Sequence, residues 1–406
     1  MNFVKKDFKD TCILTTGNSI NAEEKKEKYE NVKEGLPYIA TKDISNQGDI
    51  NFLNGITIPK RYQKNFRLAK SKSTFLCIEG GSAGKKIAFS DEDAFFGNKL
   101  INISSKDNNE LDPRYLHYFT RSDFFAKQFK NAINGIIGGA SKRKIENFDI
   151  FYPDKISTQK RIIDKLEENS LITSKTVEQI LDINVKLDNI FKRILENKIF
   201  NYQDNWKESK LEDLMTLKLQ NGHSPKSEKF DNGGLRVLTL SAVTHFDFLP
   251  DQVKFSTDKI KNESDFLIGE GEFLISRGNV RNLVGHCAIV SNLKHPTIFP
   301  DLMMRVTLDK DIIIPEYLYY YLQTPSMRKH IESVARGANP SMVKINQKNV
   351  NGFVISYPSI SLQKELVQFF DQAKLNIMGI KSLYESKMQL LKKQNQVFIN
   401  KLLNNE

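Results

Sequence analysis

The sequence predicts an α+β chain that carries one structural plan twice. Two β-rich globular units with helices are each followed by a long helix, and the two long helices form an antiparallel coiled coil. Three observations predict this. Five sequence blocks recur in the same order about 203 residues apart. In each copy, short β-branched runs punctuated by Gly, Asn and Asp precede a long helical stretch, free of Gly and Pro over 157–200. That stretch places apolar residues at alternating steps of three and four.

The repeat sets the boundaries. Phe3, Phe8 and Asp10 of FVKKDFKD align with Trp206, Leu211 and Asp213 of WKESKLED. GLPYIATKDI (35–44) parallels GLRVLTLSAV (234–243), and STFLCIEGGSAGKKIAF (73–89) parallels GEFLISRGNVRNLVGHCAIV (271–290). DPRYLHYF (112–119) parallels IPEYLYYY (314–321), and YPDKISTQK (152–160) parallels YPSISLQK (357–364). Offsets between 198 and 205 in unbroken order mark a duplication of one unit. Residues 1–153 and 201–358 are the globular heads, and 154–200 and 359–406 are the spacer helices. Asp112-Pro113 and Thr324-Pro325 each read as an N-cap followed by a first-turn proline.

In the first spacer the apolar seam holds Ile163, Leu166, Val177, Ile180, Leu187, Phe191 and Ile194, broken by Ser170, Thr173, Asn184 and Lys198. In the second it holds Val367, Phe370, Ile377, Tyr384, Met388, Leu391 and Phe398. A seam sustained this long suits coiled-coil packing better than an amphipathic helix lying on one core. Because the first helix leads from head one to head two, the second must run back, which makes the pair antiparallel. At 1.5 Å rise per residue the expected rod is roughly 65 Å long.

Composition narrows the function classes. An apolar content of 39% with 27% charged residues is that of a globular protein. MNFVKKDFKDTCIL lacks the apolar run of a secretory signal, and no stretch is long and uncharged enough for a membrane span. Cys12, Cys77 and Cys287 form no C-x-x-C pair, which speaks against a zinc site or disulfide framework and suits a reducing, cytoplasmic setting. The net charge of +11 points toward a polyanion, but it divides as +6, +1, +1 and +3 over the four segments, so no basic tail exists.

Catalytic signatures are missing. EGGSAGKK (79–86) resembles a nucleotide phosphate loop, yet Glu79 stands where its first glycine belongs and Lys86 where its Ser/Thr belongs. Asn339-Pro340-Ser341-Met342 lacks the second proline and the aromatic of an adenine methyltransferase motif. The six histidines show no metal-ligand spacing. The sequence therefore predicts no catalytic site, no metal and no cofactor in this chain.

Two similar heads on a spacer suit two half-sites on a duplex. The ordered blocks closely resemble the specificity subunit of Type I restriction–modification systems, over essentially the whole chain. The residues that carry the resemblance begin with Trp206, Leu211, Asp213 and Gly222-His223-Ser224-Pro225. They continue through Leu274-Ile275-Ser276-Arg277-Gly278-Asn279, Asp301-Leu302-Met303-Met304-Arg305-Val306, Lys344-Ile345-Asn346-Gln347 and Tyr357-Pro358. The first copy departs from the pattern with Phe3 for Trp, no proline after Gly17-Asn18-Ser19, and Glu79 opposite Arg277. Thr158-Gln159 and Leu362-Gln363 replace the family's Glu-Gln at the spacer starts. The resemblance implies target recognition domains that read a bipartite, asymmetric DNA sequence. It also implies that two methyltransferase subunits dock on the spacers, with restriction subunits joining through them. S-adenosylmethionine, ATP and magnesium would then belong to those partners.

DNA contact needs cationic or amide side chains on turns. In the second head, Arg277, Asn279 and Arg281 lie on the glycine-flanked turn after a strand, and the two arginines lead as guanine readers. Lys85 and Lys86 occupy the matching turn of the first head as phosphate contacts. Thr41 and Lys42 parallel Thr239 and Ser241, and Lys226 follows Pro225. Lys142, Arg143 and Lys144 are matched to the region of Arg336, Asn339 and Lys344. Two competing classes are a two-headed protein scaffold without DNA binding, and a self-sufficient nuclease or methyltransferase.

Overall fold

The computed structural model describes residues 2–133, 138–200, 206–231, 233–337, 339 and 342–403. Two compact units emerge: Met1–Ile180 with Glu385–Glu406, and Leu181–Tyr384. Each unit thus contains one head and a stretch of both long helices, Ile156–Phe200 and Ile360–Leu403. The junction expected at 200/201 falls on 201–205, outside the described residues.

In the first unit a four-stranded antiparallel sheet runs Cys12–Thr16, Leu100–Ser105, Ser73–Cys77, Ile87–Ser90. A second sheet joins Thr57–Ile58, Leu36–Ile39, Ala94–Phe96 and Leu68–Ala69, with Tyr38 and Phe95 paired in parallel. The second unit repeats both: Gln220–Asn221, Met303–Val306, Phe273–Ser276 and Cys287–Ile289 form one sheet, and Val253–Ser256, Leu235–Leu238 and Thr297–Ile298 the other. In both, the strand that opens the head pairs antiparallel with the strand that closes it, Phe3 opposite Pro153 and Lys207 opposite Tyr357.

The central strands read as continuous apolar runs because both of their faces are covered. Leu76 joins a core with Ile101, Tyr115 and Phe125, while Phe75 and Cys77 point into another with Ile39, Phe96 and Leu100. The second unit alternates in the same way, with Phe273 and Ile275 on one side and Leu274 on the other. Cys12, Cys77 and Cys287 are free and buried, and burial pushes the Cys12 thiol up to about 12. Among the described residues no helix is long and apolar enough to cross a membrane.

Caps define the short helices. Asp112 accepts from Arg114 N ahead of Pro113, and Thr324 accepts from Met327 N ahead of Pro325. In structural terms Thr324 corresponds to Ser122, which accepts from Phe125 N at the start of the equivalent helix.

The long helices pair within each unit. In the first, Ile163, Leu166 and Ile180 are buried and Val177, Met388, Leu391 and Phe398 half-buried, and Asn169 Nδ2 donates to Asn395 Oδ1 at 2.6 Å. In the second, Val367 and Phe370 are buried and Leu187, Phe191, Ile194, Ile377 and Tyr384 half-buried. Lys381 pairs with Asp188, and Lys198 lies 5.0 Å over the Phe369 ring. As one helix advances from 188 to 198 its partner retreats from 381 to 369, so the pairing is antiparallel.

One side chain fastens each long helix to its head. Gln159 is fully buried: its Oε1 accepts from Asp112 N, and its Nε2 donates to Glu110 O and Pro153 O, each at 2.8 Å. Gln363 repeats the pattern with Ile314 N, Ile312 O and Pro358 O at 2.9–3.0 Å. Replacing Gln363 by Leu strands one buried and two partly buried backbone groups, at about 1–3 kcal/mol for a fully buried one and less for the others. The expected result is a loss of about 3 kcal/mol, read as a lower denaturant midpoint for the second unit. A midpoint unchanged from wild type would show that the bonds are dispensable.

Candidate nucleic-acid interface

In the second unit, strand Phe273–Ser276 leads directly into Arg277. The Arg277 amide donates to Leu302 O at 2.8 Å and its carbonyl accepts from Ile345 N at 2.9 Å. Gly278 and Asn279 then pair with Lys344 and Val343, while Arg336 and Lys344 exchange backbone hydrogen bonds of 2.9 and 2.8 Å. Backbone pairing therefore gathers three cations, Arg277, Arg336 and Lys344, around one cavity of about 360 Å³. Arg277 Nε is buried and has no hydrogen-bond partner among the described residues. Arg336 is tied down, its Nη1 donating to Ser333 O and Ala335 O.

The turn that follows folds back on its own strand. Gly285 N donates to Ser276 O, as Gly84 N donates to Cys77 O in the first unit, both at 2.9 Å. Both glycines have positive φ, +73° and +72°. A Cβ would approach Ile331 Cγ2 to 2.6 Å at Gly285 and Phe129 Cδ1 to 2.7 Å at Gly84. In EGGSAGKK the amides of Ala83, Lys85 and Lys86 bond to Gly80 O and Ser82 O. They are therefore not free to cradle a nucleotide phosphate, and the stretch is a turn shared by both heads.

The other candidate residues divide by what already holds them. Lys86 Nζ donates to Thr41 O at 2.9 Å, which brings the 41–42 and 85–86 candidates of the first head together. Lys42 is exposed, and Lys85 is exposed with its Nζ on Gly81 O. Arg281 Nη1 donates to Glu332 O and Ala335 O, and Asn279 Oδ1 accepts from Val280 N. Thr239 and Ser241 share a hydroxyl hydrogen bond of 2.7 Å and both bond to Gln252. Lys226 is exposed, with its amide on Asp258. Asn339 is exposed, and Pro340 and Ser341 lie outside the described residues.

The match of Lys142, Arg143 and Lys144 to Arg336, Asn339 and Lys344 is displaced in the structure. Lys142–Ile145 is a helical turn after Ser141, leading into strand Asp149–Pro153. Its counterpart is Gln347–Asn351, capped by Asn346 and leading into Val354–Tyr357. The longer connection of the second head supplies the Val343–Lys344 strand; in the first, among the described residues, a bridge joins Glu79 to Gly139. Lys144 Nζ donates to Ala132 O, and Lys142 pairs with Glu146. Asn346 and Asn349, which also line the Arg277 cavity, are absent from the sequence candidates. Their N-x-x-N spacing after Ile345 was the available signal.

The sequence sets Glu79 opposite Arg277 and Lys85 opposite His286, but backbone pairing shifts both by one residue: Ile78 N donates to Lys99 O as Arg277 N does to Leu302 O, and Cys77 N donates to Lys86 O as Ser276 N does to His286 O. His286 faces inward. Its Nδ1 accepts from His245 N at 2.9 Å, and its ring stacks on Phe246 at 4.2 Å. His245 and Phe246 both hold positive φ, 67° and 63°, a strained pair that this stack and the bond from Tyr319 Oη to Phe246 O retain. Burial, reinforced by the Arg328 charge, holds His286 down to about 3; burial first and then Arg121 and Arg114 hold His117 to about 3. Unfolded histidine titrates near 6.5, so on acidification the unfolded chain takes up protons first. Stability from these groups is complete above about pH 6.5 and is lost as pH falls toward 3. The denaturant midpoint should therefore drop between pH 7 and 5. His286→Gln, which keeps an acceptor for the His245 amide, should flatten that slope; an unchanged slope would exclude the histidine.

Residues 2–183 and 203–383 each match the family described as the Type I restriction modification DNA specificity domain. Among solved structures, a chain from a study of complex assembly and conformational transition in a type I restriction–modification system aligns with a TM-score of 0.68. It is 16% identical, and the alignment covers 99% of this chain and 97% of that one. The HsdS subunit from Thermoanaerobacter tengcongensis aligns at 0.50, also 16% identical, over 99% and 96%. No curated protein matches the chain.

Proposed function

Because the chain belongs to the Type I restriction–modification DNA specificity family, with two copies of its domain, we propose that each head reads one half of a bipartite, asymmetric DNA target. The chain recognises DNA and is a specificity subunit, not an enzyme. The observation that carries the two-half-site reading is duplication with divergence at one turn. Gly84 and Gly285 hold the same bend, but Ile78 stands at the position of Arg277 and Lys86 at that of His286. Two heads with one frame and different turn chemistry read different bases. Residues 1–153 and 201–358 are the two readers, with the candidate cations and amides above as their contacts.

Partners supply the chemistry. Methyltransferase subunits, two to a chain, bind the long helices, and restriction subunits join through them. S-adenosylmethionine, ATP and magnesium belong to those subunits, and the assembly works in the cytoplasm. The long helices support this reading by displaying apolar side chains outside their paired seam, including Leu171, Ile172 and Val185 on one and Leu375, Met378 and Leu383 on the other.

Two measurements test this. A bipartite adenine-methylated motif in the source genome should vanish when the gene is deleted, and swapping residues 1–153 should change only one half of it. Persistence of the motif, or a change in both halves, defeats the reading. Leu383, 73% exposed, can be replaced by Lys without a folding penalty beyond about 0.5 kcal/mol. Leu383→Lys should lose co-purification with the methyltransferase subunit while keeping the wild-type melting temperature. Retained co-purification would move docking off this helix face.

A further inference from the structure

The cavity beside Arg277 offers hydrogen-bond donors almost exclusively. Arg277 Nε is buried without a hydrogen-bond partner among the described residues. Lys344 has an exposed side chain with no ion pair among the described residues. Asn346 and Asn349 cap each other: Asn346 Oδ1 accepts from Asn349 N at 2.9 Å, and Asn349 Oδ1 accepts from Asn346 N at 3.0 Å. A backbone N–H can only donate, so these bonds fix which amide atom faces the backbone. Each carbonyl oxygen thereby turns toward the backbone and already accepts one bond, and both Nδ2 groups are left as donors.

Among the described residues no carboxylate lines the cavity, and its remaining walls, Val334 and Ile345, are apolar. Such a lining rejects a group that donates and selects one that only accepts. A base pair in the major groove presents donors beside its acceptors, whereas a phosphodiester presents oxygens alone and spreads one charge over them.

We propose that this cavity binds a single backbone phosphate of the DNA duplex, and that Arg277 anchors the strand there instead of reading a guanine. This rests on the DNA-recognition reading above and refines it. The first head has no equivalent, because Ile78 holds the position of Arg277, its amide on Lys99 O and its carbonyl accepting from Ala140 N, and an apolar side chain offers a phosphate no donor. The clamp therefore makes the two heads unequal: one is held by a fixed phosphate, and the other depends on its exposed lysines.

The test uses the full chain in complex with its methyltransferase subunits, binding fluorescent duplexes with and without the target sequence. Arg277→Gln should weaken both duplexes about tenfold at moderate salt, the loss expected for one charge-assisted contact. It should also make the plot of log affinity against log salt shallower by about one unit. A wild-type complex on duplexes carrying one neutral methylphosphonate should lose about the same tenfold at a single phosphate, and that substitution should cost Arg277→Gln nothing further. Lys344→Gln, an exposed position, is the companion variant should Arg277→Gln fold poorly, and it should lower the salt slope likewise.

Loss confined to the target duplex with an unchanged salt slope would make Arg277 a base reader and overturn the proposal, as would unchanged affinity for both duplexes. Failure of the underlying reading is separate: the wild-type complex would then show no target preference and no salt dependence at all.

Discussion

Two buried glutamines set the relation between helix and head on which everything else in each unit depends. A 45-residue helix has no intrinsic reason to leave a β-rich domain at one angle. Gln159 and Gln363 remove that freedom, because each side chain satisfies three backbone groups, one at the end of the closing strand or just after it and two in the connection before the helix that begins at Pro113 or Pro315. A buried polar group with every partner present is stable and directional, and with one partner missing it is costly. Apolar packing of Leu166 or Val367 could slide by a few tenths of an ångström; a three-bonded amide cannot. The residue preceding each glutamine, Thr158 or Leu362, makes none of these bonds, and this explains how that position differs between the copies while the glutamine stays.

The heads show the same division between frame and content. The frame is the central strand with both faces covered, the glycine bend behind it, and the pairing of the opening strand with the closing one. These depend on sterics and hydrogen bonds that tolerate little change. A Cβ at Gly84 or Gly285 would drive into Phe129 or Ile331. The content is the set of side chains carried past that bend: Glu79, Lys85 and Lys86 in one head, Arg277, Arg281 and His286 in the other. His286 shows how far content can drift without loss of the frame. It stands at the position of Lys86, whose Nζ reaches Thr41 O, yet turns inward and has the strained His245–Phe246 turn as its partner.

Many of the cations that composition brings to notice already have work inside the fold. Lys86, Lys144, Arg281 and Arg336 each donate to backbone carbonyls, which reduces what they can offer a duplex. Arg277 stands apart from these four because backbone pairing positions it while its buried Nε has no hydrogen-bond partner among the described residues. Net charge draws a chain to DNA at long range; the position of an unpartnered donor decides where the phosphate or base is held.

The amino-acid sequence by itself determined the duplication, the alternation of β-rich heads with long helices, and the antiparallel sense of helix pairing. Those follow from periodicity and order, which are local or additive properties of the chain. It also determined that EGGSAGKK is no nucleotide loop, since two required residue types are absent. The tertiary structure alone decided which donors converge. Arg277, Arg336 and Lys344 come from three segments and meet through a two-residue ladder, Gly278–Asn279 against Val343–Lys344, too short to register as a strand pattern. The true counterpart of Lys142–Ile145 was hidden for the same reason: an insertion shifts the register, and only pairing with the neighbouring strand restores it. Asn346 and Asn349 were visible as letters, but the direction of their amides was not. That direction depends on a reciprocal bond to the backbone, and such a bond exists only once the turn has closed.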